Sequence, residues 1–252
     1  MIRHEHWQVG ERPSLDIGVP VGTIEVRVGD GGIVQLSLES AAAADFEIVA
    51  NGDRISVRHP SRWSMRGRSC RLQVTVPAGT DVTVDAASAE VRLSGRLGVV
   101  RVRTASGDID VECAARLEAA TASGDVMVGD IEGDAAVGSI SGGCTMKTVA
   151  GRLEANITSG TLRVDRCLGD LTVGTTSGST RVGHCAGSDI VITSISGDVR
   201  LGLPTGIRVD ADLATISGRA HLPDPSPSGG ERRPVRLKVK TVSGDIRIER
   251  ST

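Results

Sequence analysis

The stretch Thr104-Ala105-Ser106-Gly107-Asp108-Ile109-Asp110-Val111 recurs, with small changes, through the rest of the chain. A Ser-Gly pair marks each copy, and most successive copies begin 17 to 19 residues apart. The marker glycines are Gly107, Gly124, Gly142, Gly160, Gly178, Gly197, Gly218 and Gly244. A short fixed period is typical of solenoids, in which each repeat buries its apolar face only by stacking on its neighbours. The sequence therefore predicts an all-β chain folded as a single-stranded parallel β-helix, or β-solenoid, with about 18 residues per coil.

Apolar residues follow each marker at fixed offsets. Two residues after the markers lie Ile109, Val126, Cys144, Leu162, Thr180, Val199, Ala220 and Ile246. Four residues after them lie Val111, Val128, Met146, Val164, Val182, Leu201, Leu222 and Ile248. Alternation with a period of two predicts a strand with one buried face. Repetition in every coil predicts that these side chains stack as inward-facing columns.

The eight marker glycines are interpreted as structural turn residues. Glycine reaches positive φ without a Cβ penalty, so it suits a coil that must turn a corner within a few residues. The preceding serine can hydrogen-bond the local backbone. Asp108, Asp125, Asp198 and Asp245, which follow four of the markers, are expected to hold the turn in the same way.

Residues 1–85 lack this period and alternate short strand patterns with tight turns. Thr23–Val28 and Ile33–Leu38 flank a Gly-rich turn, and Asn51-Gly52-Asp53 joins two further strand patterns as a hairpin. A solenoid end needs cover for its strand edge. The sequence therefore predicts that residues 1–85 form a β-rich N-terminal cap, continuous with solenoid repeats at 86–252.

The regular period breaks between Gly218 and Gly244. Residues 221–234 are rich in Pro, Ser and Gly, which predicts an exposed loop. The last inward position, Ile248, is followed by only four residues, so the edge of its coil is expected to be exposed. Four prolines suit a loop that covers this edge without extending the sheet. We therefore expect the loop to screen the last coil and keep the protein monomeric or weakly dimeric.

Composition narrows the classes of partner. The net charge is −2, with 29 basic and 31 acidic residues, and the aromatic residues are Trp7, Phe46 and Trp63. The chain has no excess of basic residues to attract nucleic acid. Its few aromatic residues do not suffice for a platform on which bases could stack. No apolar stretch is long enough for a membrane span. The N-terminus resembles no secretion signal, which favours a cytoplasmic location unless export follows a route without one.

No catalytic, cofactor or metal site emerges from the motifs. The five cysteines are odd in number and lack a CxxC pair, although Cys167 and Cys185 occupy equivalent positions in adjacent coils. Asp follows only four of eight markers, which favours a turn role over a calcium-binding repeat. The charges of a β-helix polysaccharide enzyme could come from Asp110, Glu112, Asp125 and Arg163, but their spacing does not bring them together.

The segment Val74–Val84, followed by the repeated Ser-Gly-Asp coils, resembles the bacterial putative-adhesin family of β-strand repeat proteins, a domain of unknown function numbered 4097. The resemblance covers nearly the whole chain. It implies a β-solenoid fold and a binding role of the adhesin type.

Three functions remain open from the sequence. The first is a non-catalytic scaffold or binding module that presents stacked polar faces to a protein or polymer partner. The second is a self-assembling structural element, since bactofilin-like filaments use a similar coil. The third is a carbohydrate-active β-helix enzyme. The sequence favours the first and predicts that the protein is not an enzyme.

Overall fold

The structure is a computed structural model that describes residues 1–59, 69–223 and 234–251. Within those residues nearly all regular structure is β-strand, and the only helix is a short 3-10 helix at Ala43–Asp45. The chain divides into two compact units, Met1–Val128 and Gly129–Thr252. Parallel strand ladders form the larger part of both units, so the predicted all-β solenoid fold is confirmed.

The first unit contains eight complete strands. They are β1 (Ile2–Gln8), β2 (Ser14–Val28), β3 (Ile33–Ser40), β4 (Glu47–Asn51), β5 (Arg54–Arg58), β6 (Cys70–Val76), β7 (Asp81–Ser106) and β8 (Ile109–Ser123). A ninth strand, β9 (Val126–Ile131), includes the boundary between the two units.

Parallel coils begin earlier in the chain than the sequence predicted. The long strand β7 pairs in parallel with β8 on one side and with β2 on the other, from Ser14↔Asp81 to Arg27↔Ser94. The boundary expected at residues 85 and 86 therefore does not separate a cap from the coils. The 18-residue period is lost in this part because β3, β4 and β5 are inserted between β2 and the strand β6 that pairs with it.

Antiparallel pairing is confined to the start of the first unit. Strand β3 pairs antiparallel with both β1 and β6, and β6 pairs in parallel with β2. Strand β6 thus lies between β2 and β3, so the Gly-rich turn after β2 does not join two paired strands. The predicted hairpin around Gly52 is confirmed, because β4 and β5 pair antiparallel with Asn51 opposite Arg54.

The second unit is built from twelve strands, two per coil. They are β10 (Ala135–Ser141), β11 (Cys144–Val149), β12 (Leu153–Ser159), β13 (Leu162–Cys167), β14 (Leu171–Ser177), β15 (Thr180–Cys185), β16 (Asp189–Ser196), β17 (Val199–Pro204), β18 (Val209–Ser217), β19 (Ala220–His221), β20 (Val235–Ser243) and β21 (Ile246–Ser251). Even-numbered strands form one parallel ladder and odd-numbered strands form the other.

The final coils do not stack in the order of the sequence. Strand β20 pairs with β16 on one side and with β18 on the other, and β21 lies in the same way between β17 and β19. The last segment of the chain, β20–β21, is therefore inserted between the two coils that precede it in the sequence, β16–β17 and β18–β19. The expectation that the edge of the Ile248 coil is exposed is wrong, because β18 pairs along β20 and β19 pairs with Ile246 and Arg247, so that β18–β19 is the outer coil. Residues 224–233 lie outside the described residues, so the screening role of the loop stays a prediction.

Apolar content and charge both favour this order. Strand β20 buries Val235, Leu237 and Val239, whereas β18 offers few large apolar side chains and is mostly exposed. On the outer face, Arg236 of β20 lies opposite Asp189 of β16 and Asp210 of β18. Opposite charges across strands stabilise a sheet, so β20 has matching neighbours on both sides.

The inward columns pack the interior of both units. Leu162 and Val164 are fully buried, and the other predicted column residues are no more than 5% exposed in coils flanked on both sides. The exceptions are Ala220 and Leu222, which are exposed because they belong to the outer coil. The sequence predicted the columns correctly and failed only where the stacking order changes.

Candidate functional site

In each unit the marker glycines lie at a corner of the coils. All eight have φ between +131° and +150°. At Gly160, where φ is +145°, an added Cβ would also overlap the carbonyl oxygen of Gly142 in the coil below. These glycines therefore allow both the turn and the close approach of successive backbones.

Three of the four aspartates after the markers, Asp108, Asp198 and Asp245, link coils through their carboxylates. The carboxylate of Asp108 accepts a hydrogen bond from the backbone N–H of Asp125 at 2.8 Å. Asp198 accepts from the N–H of Asp245 at 3.0 Å, and Asp245 accepts from the N–H of Arg219 at 2.9 Å. Each of these three carboxylates thus joins its turn to the turn of an adjacent coil.

A column of hydroxyl residues lies beside the same corner and escaped the sequence analysis. It lies three residues before the markers, and in the second unit its buried members are Ser139, Thr175, Ser194 and Thr241. The Thr241 hydroxyl donates to the carbonyl oxygen of Ser243 at 3.2 Å. The signal in the sequence is a recurring Ser or Thr at this fixed offset.

Cys167 and Cys185 lie directly opposite each other on β13 and β15, as their spacing predicted. Both thiols are free and fully buried. A hydrogen bond with Cys185, together with burial, raises the pKa of the Cys167 thiol. The same hydrogen bond lowers the pKa of the Cys185 thiol. Because both side chains are fully buried, neither thiol is accessible to a reactant, which favours a packing role in the column.

The second corner of the second unit forms an open groove. Its lining includes Asp134, Arg152, Asp170 and Ser188. The Asp170 carboxylate accepts hydrogen bonds from the N–H groups of Ser188 and Asp189, each at 3.1 Å. Partial burial acts to raise the pKa of Asp170, but these bonds and that from Arg152 outweigh it, so the pKa lies below its ordinary value. The polar groups of the groove are thus already used to join coils.

The outward face of the odd-numbered ladder carries a row of arginines in the second unit. Arg163, Arg181, Arg200 and Arg247 occupy the same position on successive strands β13, β15, β17 and β21, in direct register. All four side chains are exposed. We call this row the arginine ladder.

The charges considered for a polysaccharide enzyme are divided between the two units. In the first unit, Asp110 lies opposite Arg92 and the Glu112 carboxylate accepts the N–H of Gly95 at 2.8 Å. Arg163 belongs to the second unit. Across the described ranges, no three His, Cys, Asp or Glu side chains are grouped so that they could hold a metal ion. The part of the chain that the structure describes contains no helix long and apolar enough to cross a membrane.

Comparison with solved structures finds similar chains at low identity. A putative adhesin from Bacteroides fragilis NCTC 9343 is 12% identical, with 99% of this chain and 97% of that chain covered and a TM-score of 0.43. A putative adhesin from Parabacteroides merdae ATCC 43184 is 11% identical, with coverage of 100% and 96% and a TM-score of 0.39. A putative lipid binding protein from Parabacteroides distasonis ATCC 8503 is 10% identical, with coverage of 100% and 97% and a TM-score of 0.38.

A search of curated proteins found no sequence that matches the chain. The model of the Toastrack DUF4097 family, in contrast, matches residues 14–249. The match begins at Ser14, where the parallel coils begin, and it extends through the inserted strand β20 and into β21. The chain therefore belongs to the Toastrack DUF4097 family.

Proposed function

We propose that this protein is a non-catalytic binding module of the putative-adhesin type that presents stacked polar faces to a protein or polymer partner. The observation that supports this proposal is the exact repetition of outward-facing positions, strand by strand, on a ladder fixed by buried columns. A repeated row of side chains at the strand spacing of about 4.8 Å suits a partner that is itself extended or repetitive.

The two aspartates of the open groove are engaged in holding the coils together. Asp134 accepts the N–H of Arg152 at 2.9 Å, and the Asp170 carboxylate is bonded to the neighbouring coil and paired with Arg152 at 3.5 Å. A general acid or base needs a proton-transfer partner within reach and a tuned pKa. Side chains committed to backbone amides fit a structural role better.

The proposal can be tested with the purified full chain on an array of glycans and extracellular polymers. We expect retention of one class of ligand, and mass spectrometry of the recovered ligand should show an unchanged chain length. Hydrolysis of any bound glycan would contradict the non-catalytic assignment. A chain that retains no ligand from the array or from envelope fractions of bacterial cells would contradict a binding role.

Self-assembly is the second candidate, and one observation favours it. Among the described residues, β18 has a strand partner only on the side of β20. Close to this free edge, Ile216 is 82% exposed. Asp210 and Asp212 place charge on the same strand, which opposes strand addition. Sedimentation velocity over a wide concentration range should show growing assemblies that Ile216→Lys suppresses, and a constant monomer mass would exclude this function.

A further inference from the structure

The arginine ladder places four like charges in consecutive strands. Its members are in direct register, so neighbouring side chains start about 4.8 Å apart. None of the four forms an ion pair or a side-chain hydrogen bond with another described residue. Like charges directly opposite each other destabilise a sheet. The ladder therefore carries a repulsive cost that no ion pair or hydrogen bond in the described part of the chain relieves.

This cost is not a requirement of the coil. In the first unit the equivalent outward position alternates in charge, with Glu25 opposite Arg92 and Arg92 opposite Asp110. On the other ladder of the second unit, Arg236 lies between Asp189 and Asp210. The chain thus matches opposite charges at two comparable places and stacks only arginines at the third.

The surroundings leave the ladder open. Two residues after the central arginines, Arg181 and Arg200, the strands carry Gly183 and Gly202, which have no side chain. Acidic residues occupy this position only after the two end arginines, where they are Asp165 and Glu249. Asp198, two residues before Arg200, has its carboxylate bonded to the backbone N–H of Asp245 at 3.0 Å. The central guanidinium groups are consequently free to accept a ligand.

We propose that the arginine ladder binds a linear acidic polysaccharide, a polymer that carries a carboxylate on successive sugar units. This inference rests on the proposed binding function and names the partner class. Guanidinium groups form bidentate hydrogen bonds with carboxylates, and four in a row can engage successive units of one chain. Each contact made at an exposed surface is weak, so the affinity comes from the repetition.

Two other anionic partners fit the ladder less well. Single-stranded nucleic acid is bound with aromatic stacking platforms, and the sequence has no aromatic residue after Trp63. An anionic membrane surface attracts clusters of basic residues together with apolar side chains that enter the interface. The residues two positions before and after the central arginines are Ser179, Gly183, Asp198 and Gly202, and none of them has an apolar side chain that could serve as such an anchor.

The test is titration calorimetry of the full chain with polygalacturonate, and with a neutral galactan as the matched polymer. The parent should bind polygalacturonate and not galactan, and the affinity should fall as salt rises towards about 0.15 M. The double variant Arg181→Gln with Arg200→Gln should weaken binding by about tenfold or more. The control is Lys238→Gln with Lys240→Gln on the other ladder, which removes the same charge and should bind like the parent.

A third variant separates binding from folding. Arg181→Glu restores alternation between Arg163 and Arg200, so it should raise the melting temperature while it weakens binding of polygalacturonate. A lower melting temperature would contradict the repulsion on which the inference rests. Equal affinity of the parent and the double glutamine variant would overturn the ladder as the site.

Three further outcomes overturn the choice of partner. They are equal binding of the neutral galactan, tighter binding of vesicles that contain phosphatidylserine, and tighter binding of single-stranded DNA. Failure here is distinguishable from failure of the proposed function. If the full chain retains another ligand on the array, and the ladder variants retain it equally, only the ladder inference is lost.

Discussion

The backbone N–H of Gly197 donates a hydrogen bond to the carbonyl oxygen of Ser243 at 2.8 Å, although the next marker along the chain is Gly218. Gly244 in turn donates to Ser217 at 2.9 Å. The coil that starts at Gly244 is therefore held between the coils that start at Gly197 and Gly218. The last coil, β20–β21, therefore has a paired coil on each side, and the coil that precedes it in the sequence, β18–β19, is the outer one.

This order can be tested with two residues that lie opposite each other, Val239 on β20 and Leu213 on β18. Val239 is fully buried, whereas Leu213 is half-buried. Val239→Asp should lower the free energy of unfolding by about 3 kcal/mol or more, because it buries an unpaired charge. Leu213→Asp should cost about 1 kcal/mol. Urea unfolding followed by circular dichroism measures both, and the reverse ranking would indicate stacking in the order of the sequence.

Three glycine variants separate turn strain from close packing. Gly138 has ordinary φ and open space, Gly206 has φ +74° and open space, and Gly160 combines positive φ with contact to Gly142. Substitution by alanine should be neutral within about 0.5 kcal/mol at Gly138 and cost about 1 kcal/mol at Gly206. At Gly160 it should cost about 3 kcal/mol or more, since backbone must move. Similar melting temperatures for all three variants would show that the corner tolerates a side chain.

Much of the fold could be predicted because every coil needs the same inward apolar positions and the same kind of corner. The offsets of two and four residues also identify coils that lack the Ser-Gly marker. Gly22 is followed by Ile24 and Val26 at those offsets, and Ala89, which lies opposite Gly22, starts a similar run. The Ser-Gly pair alone missed these coils, since a corner can be built without it.

The stacking order and the arginine ladder were harder to predict. Strands β18 and β20 follow the same pattern, so the period cannot tell which of them is inside. The difference lies in the size of their inward residues and in the acidic neighbours of Arg236. Arg247 is adjacent to Arg200 only because of this insertion, and in the order of the sequence His221 would separate them. The arginine ladder could therefore be recognised only once the stacking order of the last coils was known.

The hydroxyl column provides a matched pair for a hydrogen-bond test. The Thr241 hydroxyl donates to the carbonyl oxygen of Ser243, whereas the Thr175 hydroxyl is buried with no partner among the described residues. Thr241→Val should reduce the free energy of unfolding by about 1 kcal/mol. Thr175→Val should leave it unchanged or raise it slightly, because an unsatisfied polar group is removed. Destabilisation by Thr175→Val equal to that of Thr241→Val would contradict this difference.

The last prediction concerns stability at alkaline pH. Burial raises the pKa of the Cys144 thiol from its ordinary value of 9.0 to about 12. Above pH 9 the thiol ionises in the unfolded chain but stays protonated in the folded one, so the unfolded state is favoured. The contribution of Cys144 is thus complete below pH 9 and is lost as pH rises towards 12, with a slope of up to about 1.4 kcal/mol per pH unit.

Cys144→Val keeps an apolar side chain in the column and removes this titration. Its free energy of unfolding should therefore fall less steeply with pH than that of the parent between pH 9 and 11, as measured by urea unfolding. Cys113→Ser, which removes a half-buried thiol, is the control for the loss of a thiol as such. Parallel pH profiles for the parent and Cys144→Val would show that the Cys144 thiol ionises equally in both states, and that this column is open to water.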